Sequence, residues 1–249
     1  MKIALIGYGV MGKLIRRLAE EKGHEIAVVI DESEHGASRV SKGVRGESDD
    51  TPLLTSRLQH FGVDVAMDFT TADAVKRNVE ACVAAGVPLV EGTTGWNAQR
   101  TEIEQIVSDG RGSLVFGANF SIGVNLFYRI AGFAAEIFAK FPEYEAFIEE
   151  QHHSRKKDRP SGTALKLKDI VAEHIKKEFS VSATRAGNIP GTHRVGFDGP
   201  ADQILLAHTA RSSEGFAAGA ILAAEWIVGK NGFYEFADVM DEICQNRER

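Results

Sequence analysis

"MKIALIGYGVMGKLIRRLAEEKGHEIAVVID", residues 1–31, decides the architecture. A short apolar run, Lys2–Ile6, reaches a turn with Gly7, Gly9 and Gly12 in the spacing G-x-G-x-x-G. Met11, Leu14, Ile15, Leu18 and Ala19 then recur at helical spacing until Gly23, and a second apolar run, "EIAVVI" (25–30), ends at Asp31. Each glycine has its own reason. Gly7 permits the tight turn, Gly9 lets the main chain approach a pyrophosphate, and Gly12 lets the helix lie close to the sheet. The helix start offers unpaired N–H groups to phosphate, and an acid ending the second strand can accept hydrogen bonds from ribose hydroxyls. The stretch therefore predicts a dinucleotide-binding βαβ unit with Asp31 on the ribose. Glu32, Ser33 and Glu34 follow Asp31. A 2′-phosphate there would meet carboxylates, so NADH is expected to be preferred, with NADPH admitted if a cation such as Arg39 reaches the site.

The same alternation continues outward. "VDVAMDFT" (63–70), "VPLVEGTT" (87–94) and "SLVFGANF" (113–120) read as buried strands, with helices over 72–85 and 97–108. Residues 32–61 read as polar and irregular, with one weak strand. Strands alternating with single helices imply an α/β fold built on a Rossmann-like parallel sheet. Carboxyl ends of such strands face the ligand crevice, which puts Thr93, Thr94 and Asn119 near nicotinamide or ribose; ordinary turn chemistry is the alternative.

After Ser121 the pattern changes. An amphipathic helix over 124–140, a strand in "EYEAFIEEQ" (143–151) and a helix over 163–179 precede two or three antiparallel strands across 182–210. Turns are expected at Gly187, Gly191 and Gly199–Pro200. Residues 215–248 read as mostly helical, folding back onto the first domain. The predicted division is 1–121 with 214–249 as the dinucleotide-binding domain and 122–213 as a second, α+β domain for substrate.

The chain has 249 residues and a net charge of −6, which disfavours a nucleic-acid partner. Its two cysteines, Cys82 and Cys244, match no metal spacing or disulfide framework and suit a reducing compartment. "GFAAGAILAAEWIVG" (215–229) contains Glu225 and is too short to span a bilayer. A cytoplasmic protein with no membrane partner is expected.

Within this acidic chain, "EEQHHSRKKDRPSGTA" (149–164) gathers two histidines and four cations. Side chains of neighbouring strand residues point to opposite faces, so His152 and His153 make a poor chelate and no metal is expected. Histidine suits acid–base work near neutral pH. Lys156 can deliver a proton where burial or neighbouring cations lower its pKa. Pro160, Ser161, Gly162 and Thr163 read as a helix start, with Ser161 as N-cap, and helix starts hold carboxylates. The segment reads as a pocket for a small anion with a proton donor beside it; a solvated charged loop is the alternative. Arg155, Lys157 and Arg159 are given only a diffuse attraction for that anion.

"HHSRKKDRPSGTA" resembles the signature of the dihydrodipicolinate (4-hydroxy-tetrahydrodipicolinate) reductases of diaminopimelate and lysine biosynthesis. "MDFT" (67–70), "GTTG" (92–95), "ANFSIGVN" (118–125), "RAGNIPGTH" (185–193) and "FAAGAILAAEW" (216–226) resemble further family segments, in the family's order. The resemblance implies NAD(P)H-dependent reduction of a cyclic, unsaturated dicarboxylate. It implies that His152 is a proton donor or acceptor and Lys156 the proton donor. His153, Ser161, Gly162 and Thr163 would hold the substrate. Gly7, Tyr8, Gly9, Val10, Met11, Gly12, Asp31, Gly92, Thr93, Thr94, Gly117, Ala118, Asn119 and Phe120 would contact the cofactor. It also implies a homotetramer built through the second domain. Because the substrate segment and the cofactor turn lie in different domains, closure of one domain on the other is expected. The chain departs from the family at "GYGVMG", where many members have a basic "GxxGRMG", and at Ser213, where an arginine is expected and Arg211 lies two residues earlier. Another two-domain nicotinamide oxidoreductase and a non-catalytic NAD(H) sensor are the competing readings.

Overall fold

The computed structural model describes residues 1–31 and 51–246. Glu32, Ser33, Glu34 and Arg39, on which the coenzyme preference leans, lie outside the described residues. The chain divides into two compact units, Met1–Ser121 with Phe216–Arg249, and Ile122–Gly215.

The first unit opens with β1 (Lys2–Ile6), α1 (Val10–Glu21) and β2 (Glu25–Ile30). Next comes α2 (Thr51–His60), where an irregular stretch was expected. Leu54 and Leu58 stand one turn apart and are both buried, which gives this helix its apolar stripe. Four elements of the expected alternation follow: β3 (Val65–Asp68), α3 (Val75–Ala85), β4 (Leu89–Glu91) and, after a 3-10 turn, α4 (Arg100–Asp109). Gly86 ends α3 in the left-handed conformation at φ 69°, which a residue bearing a Cβ adopts only with strain. β5 (Ser113–Phe116) completes this run.

The second unit holds α5 (Ile122–Phe138), β6 (Glu145–His152), α6 (Gly162–His174), β7 (Ser180–Arg185), β8 (Thr192–Asp198) and β9 (Gln203–Thr209). Its sheet runs β7-β6-β8-β9. β8 is antiparallel to both β6 and β9, but β7 pairs parallel with β6, with Gln151 opposite Thr184 and His152 opposite Arg185. The expectation of purely antiparallel strands is corrected here. α6 carries the chain from β6 to β7 as a crossover, and a crossover brings the next strand in parallel. Phe127, Ala131, Ile148, Leu167, Val171, Val195 and Phe197 form the core between helices and sheet. Phe138 stacks on the fully buried Phe197 with ring centroids 4.3 Å apart. Truncating such a core phenylalanine costs about 3–5 kcal/mol.

The chain then re-enters the first unit with α7 (Glu214–Ile227), β10 (Gly232–Glu235) and α8 (Phe236–Asn246). The stretch expected to be mostly helical thus contains a strand. β10 pairs parallel with β5, and Phe233 stacks on Phe116 at 4.8 Å beneath the Arg100 guanidinium. The first sheet has six strands in the order β10-β5-β4-β3-β1-β2, all parallel. Its order reverses between β1 and β3, the switch point where open α/β sheets bind ligands.

Candidate active site

The glycine turn sits at that switch point. Gly7 adopts φ +88° and donates its N–H to Ile30 O at 2.8 Å. A Cβ there would stand 2.5 Å from Phe69 O, at the end of β3. A Cβ on Gly12 would run into the Gly7 carbonyl, so α1 lies as close as the sequence implied. Gly9 is different: a Cβ would meet nothing within 4 Å. The protein's own packing leaves the Gly9 position open, and Gly9 caps α1 with no side-chain hydrogen bond. The helix start therefore keeps its backbone donors for an anion. No acid stands in its first turn. Val10 is 85% exposed beside it, and Met11 is half-buried. Asp31 accepts the Tyr8 N–H at 2.8 Å, which ties the end of β2 to the turn, while Tyr8 Oη accepts from Arg16 at 3.2 Å.

The two other strand ends are equally tight. A Cβ on Gly92 would collide with the Phe69 ring. Thr93 Oγ1 accepts the Thr70 N–H at 3.0 Å, and Trp96 Nε1 donates to Thr93 O at 2.8 Å, while Thr94 is exposed. After β5, a Cβ on Gly117 would lie 3.0 Å from Phe236 Cβ. Ala118 is exposed, and Asn119 Oδ1 accepts the Ser121 N–H at 2.9 Å. Phe120 is buried between Phe69 and Phe236, with centroids 6.4 and 4.7 Å away. Gly219 of α7 has room for no Cβ against the Phe120 carbonyl. These residues fit a dinucleotide: a glycine turn, uncapped donors and an acid, all at the carboxyl edge of one sheet.

In the second unit, β6 ends in a buried polar cluster. Alternation along the strand puts Glu150 and His152 on one face, and both are buried. Glu150 Oε1 accepts the Ser161 N–H at 2.9 Å and meets Arg185 Nη2 at 2.7 Å. Burial pushes the Glu150 carboxyl up, but Ser161 and Arg185 outweigh it and hold it below its ordinary value. Glu150 Oε2 lies 3.3 Å from His152 Nδ1 and 3.6 Å from His193 Nε2. His193 Nε2 is also 3.1 Å from Ser161 Oγ. Burial lowers the pKa of His152, with Glu150 opposing and Lys156 and Arg185 assisting. Burial and the neighbouring His152 bring His193 down to about 4.

Ser161 caps α6 as expected, its Oγ accepting the Ala164 N–H at 3.2 Å. Gly162 is exposed and Thr163 is half-buried. The Ser161 N–H is already taken by Glu150, so a ligand meets the donors that follow it. Lys156 pairs with Asp158 at 2.8 Å, and its charge reaches both His152 and His193. His153 stands just beyond the strand, half-buried, and outside the Glu150–His152–His193 group. Arg155 donates to Asn188 at 2.9 Å and Arg159 to the Ala183 carbonyl, so both brace the loop.

Three residues of this cluster went unread in the sequence: Glu150, Arg185 and His193. The i, i+2 spacing of Glu150 and His152 on a strand was the available signal for the first. The other two lie in "RAGNIPGTH", which composition alone does not connect to the histidines. Glu150, His152 and His193 offer ligand atoms within 4.8 Å of one another. The Arg185 guanidinium on the same carboxylate works against a cation there.

Comparison with known proteins follows the same division. Residues 1–120 match the family described as "Dihydrodipicolinate reductase, N-terminus" and residues 123–240 the one described as "Dihydrodipicolinate reductase, C-terminus". A 4-hydroxy-tetrahydrodipicolinate reductase from Christiangramia forsetii is 33% identical over 258 residues, covering 99% of this chain and 100% of that protein. Its counterpart from Methanosarcina barkeri is 36% identical over 265 residues, covering 96% and 99%. Among solved structures, the dipicolinate-bound dihydrodipicolinate reductase from Paenisporosarcina sp. TG-14 superposes with a TM-score of 0.76 at 22% identity, covering 96% of this chain and 99% of that one.

Proposed function

This chain belongs to the dihydrodipicolinate reductase family, and we propose that it reduces 4-hydroxy-tetrahydrodipicolinate to tetrahydrodipicolinate with NAD(P)H, as its curated relatives' name implies. The observation that carries this reading is the buried Glu150–His152–His193–Arg185 cluster at the start of α6, with Lys156 beside it.

The glycine turn, Asp31 and the strand ends at Gly92–Thr94 and Gly117–Phe120 would hold the dinucleotide, whose reduced nicotinamide supplies a hydride when bound. The donors at the start of α6, from Gly162 and Thr163, would receive one carboxylate of the substrate, with His153 and the Ser161 hydroxyl as further contacts. Lys156, a three-donor cation on a flexible stem, would deliver the proton that balances the reduction. His152, whose charged form burial disfavours, would orient the substrate and take part in proton exchange. The dicarboxylate named in the Paenisporosarcina structure fits such a cationic, donor-rich site.

NADH is preferred in this reading: Asp31 ends β2, and a second anion beside a 2′-phosphate is unfavourable. The first unit is the dinucleotide-binding domain and the second the substrate domain. The enzyme works in the cytoplasm, consistent with two free cysteines. It assembles as a homotetramer through the second sheet, whose edge strand β9 exposes Ile204 and Leu205.

The test is direct. Freshly generated 4-hydroxy-tetrahydrodipicolinate is added to the protein with NADH or NADPH, and loss of nucleotide absorbance is followed. Substrate-dependent oxidation with NADH the better donor supports the reading; none above background with either nucleotide removes it.

A further inference from the structure

At the centre of the first sheet, two carboxylic acids are register partners on adjacent strands: Asp68 of β3 and Glu91 of β4. Both are 0% exposed. Asp68 accepts Thr70 Oγ1–H at 2.7 Å and Asn78 Nδ2–H, from α3, at 2.6 Å. Glu91 Oε1 accepts the Thr93 N–H at 2.7 Å, and Thr93 Oγ1 accepts the Thr70 N–H at 3.0 Å. The two carboxyls are neighbours across the β3–β4 pairing. Asp68, Thr70, Thr93 and Glu91 thus close a ring that joins the loop after β3 to the loop after β4.

The donors that these bonds supply are all neutral, and Glu91 Oε2 is buried without a hydrogen-bond partner among the described residues. Two facing carboxylates would leave that oxygen against another acceptor, at a cost no neutral donor offsets. One proton on the pair supplies the missing donor and removes one of two buried charges. The titratable group facing the pair from α3 is Cys82, whose thiol is pushed well up by burial and by both carboxylates. Arg77 of α3 is one shell away, donating to Asn78 Oδ1 at 3.4 Å.

We propose that Asp68 and Glu91 share one proton and act as positioning residues for the bound dinucleotide, fixing the two loops so that Thr70 and Thr93 stand in cofactor-binding geometry. The proposal rests on the dinucleotide reading of the first unit. Burial raises both carboxyls, and for Glu91 the Asp68 charge adds to it. The pair therefore keeps its proton above the ordinary carboxylate range and gives it up as pH rises. Its loss places two anions side by side and opens the ring.

The experiment measures NADH affinity of the full chain, without substrate, by nucleotide fluorescence from about pH 6.5 to about pH 9.5. Wild type, Glu91→Gln and Glu91→Leu are compared, with a melting curve for each. Glutamine keeps both the acceptor and a donor and cannot ionise. Wild-type affinity is expected to fall about tenfold or more across the range, while Glu91→Gln stays flat. Glu91→Leu is expected to bind about tenfold more weakly at neutral pH, with a cooperative melt retained. A flat wild-type profile, a Glu91→Gln profile parallel to wild type, or a folded Glu91→Leu that binds like wild type overturns the proposal. Should Glu91→Leu fail to fold, the Glu91→Gln profile decides alone. Absence of any NADH or NADPH binding by wild type overturns the dinucleotide reading and this proposal with it.

Discussion

Glu150 Oε2 stands 3.3 Å from His152 Nδ1, yet neither atom has a hydrogen-bond partner among the described residues. The contact therefore works through charge: the carboxylate favours the imidazolium while burial disfavours it. In Glu150→Gln that support is gone and Arg185 is left without its anion, so the His152 pKa falls further. The limb of the kcat/KM profile that belongs to His152 should move to lower pH, with kcat reduced about tenfold or more. A ring titration of His152 by NMR, unmoved in the variant, refutes this.

Lys156 and His152 divide the proposed chemistry between delivery and orientation. Lys156→Ala and His152→Gln should each lower kcat by about two orders of magnitude, the scale of general acid catalysis. Steady-state kinetics separates the alternatives, because a change confined to KM makes either residue a binding group.

His193 has a pKa of about 4 in the folded protein, against 6.5 as a free side chain. Between those values the unfolded chain takes up a proton that the folded chain refuses. Stability therefore falls as pH drops from about 6.5 to about 4, by on the order of 3 kcal/mol once the window is crossed. His152 adds to the same slope. Calorimetry of His193→Gln should show a shallower decline of Tm over this window than wild type.

Gly9 offers a clean separation of fold from binding. Its φ of −72° suits any residue, and a Cβ meets nothing nearby. Gly9→Asp should leave Tm unchanged or slightly raised, since aspartate caps a helix a few tenths of a kcal/mol better than glycine. The same carboxylate closes the phosphate site and repels it, so the Kd for NADH should rise about tenfold or more. Isothermal titration beside a melting curve tests both halves.

β9 is an edge strand with Ile204 44% and Leu205 46% exposed. Exposed apolar edges invite another chain. Leu205→Asp should reduce the mass of the assembly by light scattering while circular dichroism stays that of a folded protein; a mass equal to wild type argues against assembly through this strand.

The first unit was largely legible because its signals are local. The glycine turn, the acid closing β2 and the apolar runs each fall within a few residues. α2 was missed since only Leu54 and Leu58 mark its buried stripe in a polar stretch. β10 is four residues long within a helical context, and its strand character comes from β5 beside it. Parallel pairing of β7 was invisible for a different reason: alternation fixes which side chains share a face, not which way the neighbouring strand runs. The same limit hid Arg185 and His193. They reach Glu150 only because β7 and β8 flank β6, and sheet order is a property of the assembled chain.

The pairing of Ser113 with Gly232 sets a timetable for synthesis. β5 leaves the ribosome with one side unclaimed, and its neighbour follows only after roughly 120 further residues have been made. At translation rates of about 5–20 residues per second, that edge stays open for roughly 6–24 s. Throughout that interval the nascent sheet ends in "SLVF", an apolar strand with unpaired main-chain groups. The exposure invites chaperone binding, and it makes β10 the strand that decides whether the first sheet is finished or lost.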